Sequence, residues 1–76
     1  MAAPVYVDNT SLLVSTPKGM VRIKVPFKVM VVLQVEDYNT GDVLTVLLVG
    51  FTKKDNLLYY IGKRYYSYWY FEVKIK

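Results

Sequence analysis

Three tyrosines at alternate positions, Tyr66, Tyr68 and Tyr70, follow directly on two cations, Lys63 and Arg64, in a chain without histidine or cysteine. Such residues can hold an anion and stack on a flat ring. They are poorly suited to catalysis, because His and Cys supply most bases and nucleophiles that work near neutral pH. The remaining candidates are Ser, Thr, Lys, Tyr and six carboxylates. Asp8, Asp37, Asp42 and Asp55 fall in segments of turn composition, where Asp bonds the nearby backbone. Glu36 and Glu72 fall on strand faces beside polar residues or Lys, so no carboxylate pair stands out. The missing His and Cys also exclude an ordinary zinc site. The stretch Asp37-x-Asn39-x-Gly41-Asp42 begins like a calcium loop, but its Gly is fifth rather than sixth, and Leu48 stands where the loop needs Glu. The four glycines are scattered singly, so no phosphate-cradling loop forms. The expectation is a non-enzymatic protein with no cofactor and no metal.

What remains is charge and aromatic surface. Ten Lys and Arg against six Asp and Glu give a formal net charge of +4 and a pI near 9.4. That excess permits binding to a polyanion, and equally suits a surface kept soluble by charge. Arg22, Lys24 and Lys28 occupy the even positions of one alternating run, and Lys74 the even positions of another. Three readings fit the tyrosines: strand formers covering their neighbours, a protein interface, or a platform on which nucleic-acid bases stack. For the cations, the bland counterpart is edge protection against aggregation.

The elements that must position these side chains are strands. From 21 to 35 the odd positions, Val21, Ile23, Val25, Phe27, Val29, Val31, Leu33 and Val35, are all apolar. Period-two alternation of this length predicts a long strand with its odd side in the core. Pro26 cannot donate to a ladder, so the strand bends, bulges or lies at an edge there. The segment 43–52 is apolar on both faces and reads as a central strand. Residues 57–61 form another strand. The last, 65–75, puts Trp69, Phe71, Val73 and Ile75 inward and Tyr66, Tyr68, Tyr70, Glu72, Lys74 and Lys76 outward. A three-residue loop at 62–64 sets Ile61 opposite Tyr65; a two-residue loop at 62–63 would instead put Leu57, Tyr59 and Ile61 on the tyrosine face. The first register gives the cleaner core and is the one expected. Turns are expected at 8–11, 16–19, 37–42 and 53–56.

These elements give one all-β domain over 1–76, a small antiparallel meander of five or six strands closing into an SH3-like or Sm-like barrel or a tight sandwich. The size and topology carry this expectation, since no Sm, cold-shock or RNP motif is present. So short a chain buries only about 60% of its unfolded surface, yet 54% of its residues are hydrophobic. The surplus favours self-association as a homo-oligomer. The longest apolar runs are far below the ~20 residues that span a bilayer, and the first residues lack the plan of a signal peptide. The expected location is therefore cytoplasmic, or virion- or nucleoprotein-associated. Scarce Asn and Gln suit a thermophilic source. The leading functional expectation is a small basic β-barrel that binds nucleic acid through Arg22, Lys24, Lys28, Lys63, Arg64, Lys74 and the tyrosine strip. The alternative is a self-assembling structural or adaptor protein, such as a virion component, with the strip as its interface.

Overall fold

A computed structural model describes residues 4–74; Ile75 and Lys76, which the alternation assigns to the last strand, lie outside the described residues. The chain is all-β. Its strands are β1 (Pro4–Asp8), β2 (Ser11–Thr16), β3 (Gly19–Lys24), β4 (Phe27–Val31), β5 (Val43–Val46), β6 (Leu48–Phe51), β7 (Leu57–Ile61), β8 (Arg64–Ser67) and β9 (Phe71–Val73). One 3₁₀ turn, Tyr68–Tyr70, joins the last two. They form three antiparallel sheets of three strands, in the orders β1-β2-β3, β5-β4-β9 and β6-β7-β8, none closed into a barrel. Among the described residues no helix is long and apolar enough to cross a membrane.

The turns fall where short polar residues and Gly or Pro direct them. Asp8 Oδ1 accepts from the Thr10 N–H at 2.8 Å, the Thr10 hydroxyl and the Ser11 hydroxyl, fixing the β1–β2 connection. These bonds to the charged form, the Thr10 N–H first, hold the Asp8 carboxyl below its usual range. Pro17-Lys18 makes the β2–β3 turn, with Thr16 opposite Gly19. Gly62-Lys63 makes the β7–β8 turn, and Gly62 takes a φ of +65°. Ile61 therefore pairs with Arg64 and Tyr59 with Tyr66. This is the two-residue register, not the three-residue one the sequence favours.

The long alternating run is two strands. The ladder of β3 ends at Lys24 and that of β4 begins at Phe27, since Pro26 has no N–H to contribute. After the break Phe27, Val29 and Val31 are all buried as the alternation expects; before it Ile23 is only partly buried and Val21 is exposed, because β3 is the edge strand of its sheet. The strand stops at Val31, short of the expected 35, because the chain turns there: the Gly41 N–H donates to the Val31 carbonyl and the Val31 N–H to the Asp42 carbonyl. Leu33 is consequently exposed, and Glu36, expected on a strand face, has a φ of +50° in a tight turn.

Two stretches of chain turn a corner from one sheet into another, and both lose their alternation in doing so. Residues 43–51 serve β5 beside β4, then β6 beside β7. Val46 and Val49 are both fully buried although their parity differs. Between them Leu47 and Leu48 both oppose Tyr60, one through its N–H at 2.9 Å and one by register, which is the two-against-one pattern of a bulge. The expected central strand is thus two edge strands, and its doubly apolar look comes from one inward face read across a change of phase, plus exposed Val43, Leu47, Leu48 and Phe51.

Residues 64–73 do the same through the 3₁₀ turn. Tyr66 must point inward to pair with Tyr59, and Phe71 must point inward beside Val31. No single strand satisfies both, since parity is fixed within a ladder. The turn supplies the shift. The expectation that Trp69 is buried and Tyr66 outward is reversed: Trp69 is 46% exposed and Tyr66 8%. The core formed this way draws Leu12 and Val14 from the first sheet, Val29 and Val46 from the second, and Val49 and Tyr59 from the third. A fully buried Val or Leu contributes about 1.5–3 kcal/mol.

Candidate functional site

Four of the sequence-predicted cations meet in one open groove. Arg22 and Lys24 come from β3, Lys28 from β4, and Lys74 from the residue after β9. The groove has a volume of about 620 Å³, and Ile23, Phe27 and Val43 give it an apolar floor. Strand geometry does the positioning. Arg22 and Lys24 are two apart on β3, so they share a face at a spacing of about 7 Å. The Lys74 N–H donates to the Lys28 carbonyl at 2.9 Å, which sets the two lysines side by side on neighbouring strands. Arg22 is held by its own contact, since its Nη1 donates to Ser11 Oγ at 3.1 Å. Ser11, only 2% exposed, in turn donates to Asp8. Lys28 Nζ lies 3.4 Å from Thr45 Oγ1.

Among the described residues no carboxylate lines this groove. The one ion pair within 4 Å among the described residues is elsewhere, between Arg64 Nη1 and Glu36 Oε1 at 3.2 Å. Side-by-side like charges on adjacent strands are destabilising. The groove therefore gathers four cations with no carboxylate in ion-pair contact with them among the described residues, and an external anion would relieve their repulsion.

Lys63 and Arg64 do not join this group. They line a separate, polar cleft of about 320 Å³ with Glu36, Asp37, Tyr38 and Tyr66. There the acids offset the cations. The Tyr66 ring packs edge-on to Tyr38 at 5.8 Å and to Phe71 at 6.1 Å. Burial, then the Glu36 charge, push its hydroxyl pKa above the usual tyrosine value.

The continuous tyrosine strip is replaced by an aromatic turn. At three residues per turn, successive side chains of a 3₁₀ segment point about 120° apart. Tyr68, Trp69 and Tyr70 therefore cannot line up. Tyr70 is half-buried against Phe71, and its carbonyl accepts from the Val32 and Leu33 N–H groups at 2.8 and 3.2 Å. Tyr68 and Trp69 stay exposed, with ring centroids 5.9 Å apart, and edge an apolar cleft of about 390 Å³. Val32, Leu33, Phe71 and Val73 line it, and Tyr59 closes its floor. Burial raises the Tyr59 hydroxyl pKa far above the ordinary range, keeping it neutral. Sequence reasoning missed Trp69 because it extended one parity through 65–75. The signal against that was the conflict between Tyr66 and Phe71, visible only once the two-residue β7–β8 turn is known.

The groove and the aromatic cleft draw on one stretch of chain. Glu72 and Val73 line the cleft, and the next residue, Lys74, lines the groove. Among the described residues no three His, Cys, Asp or Glu side chains come together as a metal site would require. Comparison with protein-family models, curated proteins and solved structures finds no match for this chain.

Proposed function

We propose that the protein is a non-enzymatic nucleic-acid-binding module that holds the phosphate backbone in the groove of Arg22, Lys24, Lys28 and Lys74. The carrying observation is the convergence of these four cations, three from one stretch and Lys74 from far along the chain, on a groove that no carboxylate lines among the described residues. Phosphate contacts supply most non-specific affinity for nucleic acid, and an apolar floor accommodates sugar or base edges. The scaffold we infer is barrel-like: β5–β6 passes from the second sheet to the third and β8–β9 from the third back to the second, so β4 and β7 are linked along both sides.

A second reading has its own support. Val43, Leu47, Leu48 and Phe51 are 37–51% exposed along two consecutive edge strands. Such a ridge fits a homo-oligomeric interface, as in a structural or virion component. One set of measurements weighs both. Binding to labelled DNA and RNA should weaken linearly in log salt with a slope of about −3 to −4, from ~0.7–0.9 per phosphate contact for four cations. Lys28→Ala and Lys74→Ala should each lower that slope by about one. Sedimentation of the free protein reads the second. A large assembly with no nucleic-acid affinity at low salt would replace the first reading with the second.

A further inference from the structure

We infer that the groove and the aromatic cleft are two parts of one site for single-stranded nucleic acid, with phosphates on the cations and an unpaired base on Trp69 and Tyr68. This rests on the nucleic-acid reading and goes beyond it, because the groove alone would serve duplex, single strand or any polyanion.

Three observations favour the single strand. First, the two depressions draw on one face of the last strand, with Glu72 in the cleft and Lys74, two residues on, in the groove. Strand residues two apart share a face at a spacing of about 7 Å, so a ligand only a nucleotide or two long reaches both. Second, the cleft exposes large flat rings in an apolar setting: Trp69 is 46% and Tyr68 36% exposed, set at 73° to each other. A base in a duplex has both faces covered by its neighbours, whereas an unpaired base has a free face for Trp. Third, Glu72 lines the cleft beside the rings. Its negative charge repels phosphate and can accept from the amino group of a base. The cleft therefore selects the base, and the groove the backbone.

The chain has a single tryptophan, so its own fluorescence reports on the site. A short single-stranded oligonucleotide should quench it on binding and bind more tightly than the matching duplex. Inorganic polyphosphate, which has charge but no base, should compete for the groove without that quenching. Trp69→Ala should weaken single-strand binding on the order of tenfold or more, the effect of losing one stacked base. It should leave the salt slope and polyphosphate binding unchanged. Trp69→Phe, which keeps a ring, should retain most of the affinity. Because Trp69 is half exposed, both variants should fold, as circular dichroism would check. Equal binding of duplex and single strand without quenching, or an affinity unaltered by Trp69→Ala, would overturn the inference while the phosphate groove stands. Failure of every polyanion to bind at low salt would remove the groove reading, and this one with it.

Discussion

The basic groove and the aromatic cleft share a strand but are built in different ways. The groove cations hang on ladder positions: Arg22 opposite Leu13, Lys24 opposite Ser11 and Lys28 opposite Thr45, with Lys74 bonded to Lys28 through the backbone. Their spacing follows from pairing, and only long side chains remain to be placed. The aromatic cleft sits at a corner, where chain leaves the third sheet for the second. Trp69 occupies a three-residue turn closed by one bond from the Phe71 N–H to the Tyr68 carbonyl, with Tyr70 tied to the loop after β4. A ladder fixes direction through many bonds, and a corner through few. The difference also sorts the aromatics of one run: Tyr66, still within a ladder, is core, and Trp69, three residues on, is surface.

The sharpest way to break that division is truncation of both rings. Tyr66→Ala should destabilise the chain by ~3–5 kcal/mol, as large core truncations do. Trp69→Ala should cost about 1 kcal/mol or less, because a surface change away from caps and buried networks rarely costs more. Urea unfolding of the two variants measures both values. The opposite order would mean that the parity shift does not occur and that residues 64–73 form one uninterrupted strand.

That reversal marks how far sequence reasoning reached. Alternation located the core side of β4 and of β7, because a residue within a ladder has only two faces to choose from. It also selected Arg22, Lys24 and Lys28 as outward-facing, and all three line the groove with Lys74. The turns at 8–11, 16–19, 37–42 and 53–56 were legible from Asp, Asn, Gly and Pro, whose backbone preferences are local. Corners were not legible. The bulge at Leu47 and the turn at Tyr68–Tyr70 exist because β5–β6 and β8–β9 must each serve two sheets, a demand set by distant β4 and β7. Nothing in the residue types at 47 or 68–70 announces it. The strand count rose from an expected five or six to nine for the same reason, with Pro26 adding the break that its missing N–H foretold.

Tyrosine ionisation sharpens the contrast from the buried side. Burial raises the folded-state pKa of Tyr59 and Tyr66 above the ordinary value of 10.0. Above that value the unfolded chain loses these protons while the folded chain still holds them, so stability falls as pH rises. The contribution is whole below about pH 10 and disappears as pH climbs through the folded-state values. An absorbance titration should show Tyr59 ionising only as the chain unfolds and Tyr66 ionising later than a free tyrosine. Tyr59→Phe and Tyr66→Phe should each remove one late step. Full ionisation while the native circular dichroism persists would show these hydroxyls to be in contact with water.

The smallest effect separates cations that look alike in sequence. Arg64 and Lys24 are both exposed, and either could contact a phosphate by residue type alone. Their settings differ. Arg64 faces Glu36 at 3.2 Å, with side chains 70% and 46% exposed, in a cleft that Asp37 also lines. Lys24 lies in a groove that no carboxylate lines among the described residues. A phosphate approaching Arg64 must compete with Glu36 and meets the repulsion of Asp37, whereas the charged side chains that line the groove beside Lys24 are cations. Arg64→Ala should therefore leave the salt dependence of nucleic-acid binding nearly unchanged, and Lys24→Ala should lower its slope by about one. Neither should alter stability by more than about 0.5–1 kcal/mol, since an exposed ion pair contributes little and Lys24 has none to lose. Glu36→Gln supplies the converse: by freeing Arg64 it should raise affinity slightly and steepen the slope. If Arg64→Ala and Lys24→Ala reduce the slope equally, the bound strand extends beyond the groove into the polar cleft, and the distinction between the two sets of cations falls.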